Sequence, residues 1–285
     1  MKTIAFINNK GGVGKSSSVQ TVAYHIAKNL GKRVLVVDID PQGNTTLVFS
    51  ETDLLDMLRR KEGLIPPGSD GLSVEDALTD ASLDIRKCIC PTIHDHLDLL
   101  PAFPTLAAVE DRLKSDVRTP QQFRLKNQLD KVAADYDFCL IDCGPSLSIL
   151  NINALVASDE VFVPTLVDSG SLWGVVMTIH ELIEPVRQYS PKLQVGGIYI
   201  TRCKDRTVSG RDGYEILAAL FPQWLLPFTI NENVAVQNAN QRRVPLLVYD
   251  SCKRAQATKD FVLLAEYIAA KNRRSFLKKL LEEAG

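Results

Sequence analysis

The stretch GGVGKS, Gly11–Ser16, follows the apolar run TIAFI (Thr3–Ile7) and opens a helical pattern from Ser16 to about Leu30. A glycine cluster set between a buried strand and a helix admits few folds. The glycines let the backbone bend around an anion, and the helix start points unpaired N–H groups at it. The pattern G-x-x-x-x-G-K-[ST] would place its first glycine at Asn9, so the loop departs from it there and keeps Gly14, Lys15 and Ser16. It also carries a second lysine, Lys10, that a phosphate loop does not require. Gly31 stands where the helix should end, and RVLVVD (Arg33–Asp38) reads as a strand covered on both faces. Strand, helix and strand make a βαβ unit with a right-handed crossover.

The alternation continues. Strands are expected at Leu97–Ala102, at YDFCLID ending in Asp142, and at Glu160–Leu166, Leu193–Thr201 and Trp224–Phe228. Helices are expected from Pro104 and from Gln121, at Leu172–Tyr189 and at Gly210–Leu220. Ser73 with Asp76 forms a capping box before a short helix. These predict an α/β fold with a doubly wound, mostly parallel sheet, in which ligands bind beyond the carboxyl ends of the strands. Residues 1–285 read as one domain, less regular at about 50–96 and helical at about 254–283, with a break near Asn272. With 45% hydrophobic and 24% charged residues the chain is globular. It shows no signal peptide, and no apolar stretch is long enough to span a bilayer. Six cysteines without a regular framework suit a reduced cytoplasmic protein.

The chemistry gathers at strand ends. Gly11, Gly12, Val13 and Gly14 would wrap phosphates, Lys15 would hold the β and γ phosphates, and the Ser16 hydroxyl would bind Mg²⁺. Asp142 closes an apolar strand in a carboxylate, placed to serve Mg²⁺ or orient water opposite Ser16. Asp38 and Asp40 in VVDIDPQGN lie beyond another strand end. If the strand persists, alternation turns both carboxylates the same way, while Pro41 and Gly43 put Asp40 in a turn. We assign Asp40 to the attacking water and Asp38 to the metal.

KGGVGKSS (Lys10–Ser17), VVDIDPQGNTT (Val36–Thr46), LDLLPA, YDFCLIDCGPSLSILNINAL (Tyr136–Leu155), VFVPTLV and YITRCKDRT (Tyr199–Thr207) occur in the order in which they run through one family. In these segments, which span nearly the whole chain, the sequence resembles the ParA/MinD group of deviant Walker-A P-loop ATPases, and its ParA/Soj subset most. The resemblance implies ATP/ADP and Mg²⁺ as cofactors, slow hydrolysis and an ATP-dependent sandwich homodimer. It further implies binding to double-stranded DNA without sequence preference, and a ParB-like or cargo-adaptor protein that stimulates turnover. Lys10 would then reach the partner subunit's phosphates, Lys15, Ser16 and Ser17 would hold the chain's own nucleotide, Asp40 would support hydrolysis and Asp142 would be the Walker-B carboxylate. The implied place of action is the cytoplasm, on the nucleoid in the ATP-bound state.

The chain also departs from the family. Gly144 replaces a commoner proline, which would loosen the second switch loop. Asn231 stands at the adenine-side proline, and Ala235 at an arginine implicated in DNA contact, whereas Arg206 matches a DNA-contacting arginine. With a net charge of −1, any DNA surface must be a local patch; the candidates are Arg206, Arg211, Arg242, Arg243, Lys253 and Arg254. No helix-turn-helix extension precedes the glycine loop, which argues against a sequence-specific repressor. CICPTIHDH (Cys88–His96) is a poor zinc pattern, and Cys88 and Cys90 read as one face of a strand. His25 and His180 read as packing or surface residues. Phe276, Leu277, Leu280 and Leu281 share one face of a terminal helix that should pack on the domain, since Glu282 and Glu283 would repel anionic lipid. Two other readings remain: a MinD-like or scaffold-associated positioning ATPase, and a P-loop metabolic kinase or synthetase, for which no acceptor cluster is evident.

Overall fold

The computed structural model describes residues 1–63, 71–115, 120–203 and 208–284. Among them, strands β1 (Lys2–Phe6), β2 (Val34–Asp38), β3 (Cys90–Pro91), β4 (Leu97–Leu100), β5 (Phe138–Asp142), β6 (Glu160–Thr165) and β7 (Gln194–Ile200) form one sheet. Its order is β3-β4-β2-β5-β1-β6-β7, parallel except for β3 at the edge. The βαβ unit read from the sequence is present, but β5 lies between its two strands.

Alternate residues of each central strand feed two apolar layers. Ala5, Leu35, Val37, Ile141 and Val163 face one side; Ile4, Phe6, Val36, Leu140 and Phe162 face the other. Both sets are buried, which is why these strands read as unbroken apolar runs. The helices that position the site are α1 (Lys15–Tyr24), α2 (Ile149–Ala157), α3 (Ser169–Met177), α4 (Val234–Gln241), α5 (Gln256–Ala269) and α6 (Arg273–Ala284). Helices α2 and α3 cover the first layer, α1 and α5 the second. Helix α1 widens over His25–Asn29 into a π-turn and ends at Gly31, whose φ of +62° suits glycine. His25 is buried there with neither ring nitrogen hydrogen-bonded, and burial pushes its pKa down to about 4.

Other expectations are corrected. Trp224–Phe228 makes only a bridge between Leu225 and Ile198, because Pro227 has no N–H to extend a ladder. Cys88 is buried after a 3₁₀ turn while Cys90 sits exposed on β3, so the two do not share a strand face. The capping box forms, with Asp76 accepting from the Ser73 N–H at 2.8 Å. The terminal helical pattern is broken between Ala269 and Arg273. Phe276 and Leu277 then pack on the core, and Arg273 bonds Glu160 at 2.7 Å, while Leu281 is exposed. No helix among the described residues is long and apolar enough to cross a membrane.

Close approach across β6 and β7 requires a glycine. A Cβ at Gly196 would stand 2.6 Å from the Phe162 ring, which is held between Phe6 and Tyr267. Gly196→Val is expected to cost about 1–3 kcal/mol through overpacking, read as a lower urea midpoint with an unchanged slope.

Candidate functional site

The glycine loop wraps a cavity of about 530 Å³ at the carboxyl ends of the central strands. Gly12 and Gly14 have φ of +75° and +90°, which only glycine adopts without strain. The turn at Gly14 is held from behind: Thr201 donates to the Val13 carbonyl at 2.8 Å, and Ser18 to that of Gly14 at 2.7 Å. Lys15 is buried in the wall. Its ammonium donates to the carbonyls of Asn8 at 3.1 Å and Lys10 at 3.0 Å. Desolvation lowers its pKa, and Asp142, Cys143 and Asp40 oppose that shift.

Lys10 takes another direction. The Asn8 carboxamide donates to Pro164 at 2.8 Å and accepts from the Lys10 N–H at 2.9 Å, while the Asn9 N–H bonds Thr178 at 2.9 Å. These bonds tie the loop to β6 and to Thr178, the residue that follows α3. A Cβ at Gly174 would meet Asn8 Oδ1 at 2.8 Å and Lys10 Cβ at 3.1 Å; one at Gly170 would meet Lys10 Nζ at 3.1 Å. Lys10 thus runs along a glycine face of α3 and does not line the cavity. Its charge helps hold Asp168 below the usual carboxylate range, after the hydrogen bonds from Ser171.

Behind the cavity wall, Asp38 and Asp142 are register partners on β2 and β5, both fully buried and neither on the lining. Asp38 Oδ2 accepts from Thr46 N at 2.8 Å and Thr46 Oγ1 at 2.9 Å, and its Oδ1 from Asp40 N at 3.1 Å. Burial, then Asp142, pushes its pKa well up. Asp38 therefore clamps the loop that follows it and does not line the cavity. The strand ends at Asp38, so Asp40 turns away from it and faces the cavity, with Gln42 N–H on its Oδ1 at 2.9 Å.

Asp142 Oδ2 accepts from Thr45 at 2.7 Å, and its Oδ1 has no hydrogen-bond partner. Burial raises its pKa to about 6, against the pull of the Thr45 and Ser16 hydroxyls. One orphaned carboxylate oxygen beside a serine hydroxyl, at a loop of anion-seeking N–H groups, suits a magnesium ion that takes its other oxygens from phosphate and water. No larger His, Cys, Asp or Glu group among the described residues is placed to hold a metal. Gly144 does not loosen its loop. Asn151 donates to the carbonyls of Gly144 at 2.8 Å and Ser146 at 2.6 Å.

Several lining residues escaped the sequence reading: Gln20, Gln42, Asn44, Pro145, Arg202 and Asn240. Gln42, Asn44, Pro145 and Arg202 lie within the family segments but carry no role there by residue type alone, and Gln20 and Asn240 lie in no such segment. Arg243 also lines this cavity, with φ of +53°, away from the outer surface where a DNA patch was sought. Arg242 lies over the Tyr249 ring at 5.2 Å, and Arg211 and Arg254 are exposed. Lys253 is half-buried, and Arg206 falls outside the described residues. Asn231 lines a second, smaller cavity that shares Gly14, Ser17, Arg202 and Asn240 with the first.

A family model described as an AAA domain matches residues 1–195. The chain is 32% identical over 272 residues to the sporulation initiation inhibitor protein Soj of Bacillus subtilis, covering 94% of this chain and 98% of that one. It is 32% identical over 279 residues to the chromosome partitioning protein ParA of Caulobacter vibrioides, covering 96% of each. Among solved structures, cobyrinic acid a,c-diamide synthase of Mycobacterium smegmatis with ADP and magnesium superposes with a TM-score of 0.75 at 25% identity, over 96% of this chain and 97% of that one.

Asp142→Asn tests the orphaned oxygen. An amide keeps an acceptor for Thr45 and removes a buried like charge beside Asp38, but it also removes the charge that supports the desolvated Lys15 ammonium. With the two effects opposed, the ligand-free variant is expected to stay within about 1 kcal/mol of the parent in urea. It should lose the added stability that magnesium and ATP together give the parent.

Proposed function

This chain belongs to the ParA/Soj family of P-loop ATPases, and we propose that it is an ATP-hydrolysing switch that positions DNA or another large cargo. The observation that carries this reading is the divergence of the two lysines. Lys15 turns into the chain's own cavity and Lys10 away from it. A cavity served by one lysine, beside a second lysine directed elsewhere, is the arrangement needed if two copies complete each other's sites.

ATP and Mg²⁺ supply a cleavable phosphoryl bond and a cation that screens its charge. The residues divide the remaining work. The backbone of Gly11, Gly12, Val13 and Gly14 cradles phosphate, with Ser17 beside it. Lys15 exchanges its two carbonyl acceptors for phosphate oxygens, which compensates an ammonium already stripped of water. Ser16 and the free oxygen of Asp142 would hold the magnesium. Asp38 serves the metal indirectly, by fixing the loop through Thr46. Asp40 accepts a hydrogen bond from the attacking water and orients it. Its loop is tied by backbone and threonine contacts, and hydrolysis stays slow until a partner completes the arrangement. Lys10 leaves the face of α3 and reaches the partner subunit's phosphates, where a cation is worth most as negative charge shifts in the transition state.

In the ATP-bound dimer, Arg211, Arg242, Lys253 and Arg254, with Arg206, hold duplex DNA by its phosphates and without base preference. Arg243 serves the nucleotide side instead. A ParB-like or cargo-adaptor protein stimulates hydrolysis and releases the dimer. The name of the structural neighbour from Mycobacterium smegmatis describes a synthase. That chemistry needs an acceptor pocket with charged groups of its own, and beyond the phosphate loop the lining carries only Asp40, Arg202 and Arg243 among amides and aliphatic side chains, with Asp40 assigned to the attacking water.

Gel filtration with ATP tests the two-copy site. The parent is expected to elute as a dimer and Lys10→Ala as a monomer that still binds ATP; a full Lys10→Ala dimer would sink the exchange of lysines. Asp40→Ala is expected to bind ATP and dimerise while losing at least about 100-fold in hydrolysis, measured as phosphate release. Retained turnover would move the water-orienting duty elsewhere.

A further inference from the structure

The smaller cavity beside the phosphate loop has Ile230, Val236 and Phe261 on its apolar side, and polar side chains, Asn231 among them with Arg202, Glu232, Asn233 and Gln237, on the rest of its lining. It adjoins the phosphate cavity through Gly14 and Ser17, so a nucleotide whose phosphates lie on the loop would place its base there. The three apolar side chains give a flat ring a surface to stack on, and polar groups on the lining must decide which ring enters.

Asn231 is half-buried, and its carboxamide has a single fixed orientation. Asp260, on α5 and only 8% exposed, accepts from the Asn231 backbone N–H at 2.9 Å and from its Nδ2 at 3.1 Å, both on Oδ2. The other Asp260 oxygen accepts from Gln256 Nε2 at 2.8 Å. A carboxylate offers only acceptors, so the carboxamide can meet it only through its NH₂ group. The amide oxygen is left as the polar atom that Asn231 can offer a ligand. Without Asp260, an asparagine could flip and present either end.

We propose that Asp260 is a positioning residue that sets the base preference of this site by holding the Asn231 carboxamide with its oxygen towards the base. The proposal rests on the nucleotide-binding reading above and goes beyond it to say what selects the base. An acceptor held in place matches the exocyclic amine of adenine. Guanine carries an oxygen at the corresponding position, and two acceptors facing each other make no hydrogen bond.

The test is the ratio of affinities for fluorescent ATP and GTP analogues in the presence of magnesium, measured on the full chain. The parent should prefer ATP. Asp260→Ala should lower that preference roughly tenfold, by weakening ATP and strengthening GTP as the carboxamide becomes free to flip. Asn231→Ala should weaken ATP and leave GTP little changed. Asp260→Asn, which retains one acceptor for the carboxamide, should keep most of the preference. A merely structural role for Asp260 would weaken both nucleotides alike and leave the ratio unchanged. That result, in variants whose circular dichroism matches the parent, overturns the proposal. Asn231→Ala lies at a half-exposed side chain, so it tests the same ratio if Asp260→Ala does not fold. A parent that binds neither analogue would overturn the nucleotide reading itself, whereas tight ATP binding with ratios unmoved in both alanine variants overturns only the role of Asp260 and Asn231.

Discussion

Two carboxylates lie side by side at the carboxyl ends of β2 and β5, both out of reach of water. Such a pair is tolerated only where hydrogen-bond donors converge on it. Here the donors come from consecutive residues: Thr45 serves Asp142 and Thr46 serves Asp38, with the Asp40 N–H as a third contributor. Satisfying the buried charge therefore folds residues 39–46 back over the strand ends. Thr46 extends the tie to β4 by accepting from the Ala102 N–H at 2.9 Å. The loop so held puts Asp40, Gln42 and Asn44 on the cavity wall. One oxygen, Asp142 Oδ1, is left over, and it lies where a cation would complete the set.

The glycine loop is anchored by the opposite means, neutral groups and close packing. Asn8 spans from β1 to the Pro164 carbonyl and back to Lys10, and Gly174 lets α3 approach closely enough for both contacts. Lys15 rests on two loop carbonyls in a desolvated setting, so an anion entering the cavity relieves it of an unfavourable environment. The Lys15 ammonium and the Asp40 carboxylate thus share the lining of one polar cleft, with the buried carboxylate pair behind it. That contrast lets a single cavity accommodate both a polyanion and its counter-ion.

The parts most legible in the sequence were those where one local requirement forces a residue type. Glycines at positive φ, apolar strands covered on both faces, the Ser73 cap and the helix stop at Gly31 all belong to this class. Trp224–Phe228 misled because its apolar run matched a strand while Pro227 withheld the donor that a ladder needs. Gly144 misled in the other direction. A glycine suggests looseness, yet Asn151, seven residues on, pins its carbonyl from α2. Arg243 looked like one more surface cation, and only the placement of α4 over the phosphate loop brings it to the cavity.

The sequence by itself determined the chemistry of the phosphate loop and the sheet that carries it, because a strand–glycine–helix junction and strand-end carboxylates are local patterns. What the remaining charges do follows from strand order and helix packing. Strand order placed Asp38 against Asp142 although 104 residues separate them, and made one a clamp while leaving the other an unpaired oxygen. Helix packing sent Lys10 along α3 and set Asp260 behind Asn231. A charged side chain has a duty only through what it faces, and residues far apart in the chain become neighbours only when the sheet and its helices close on one another.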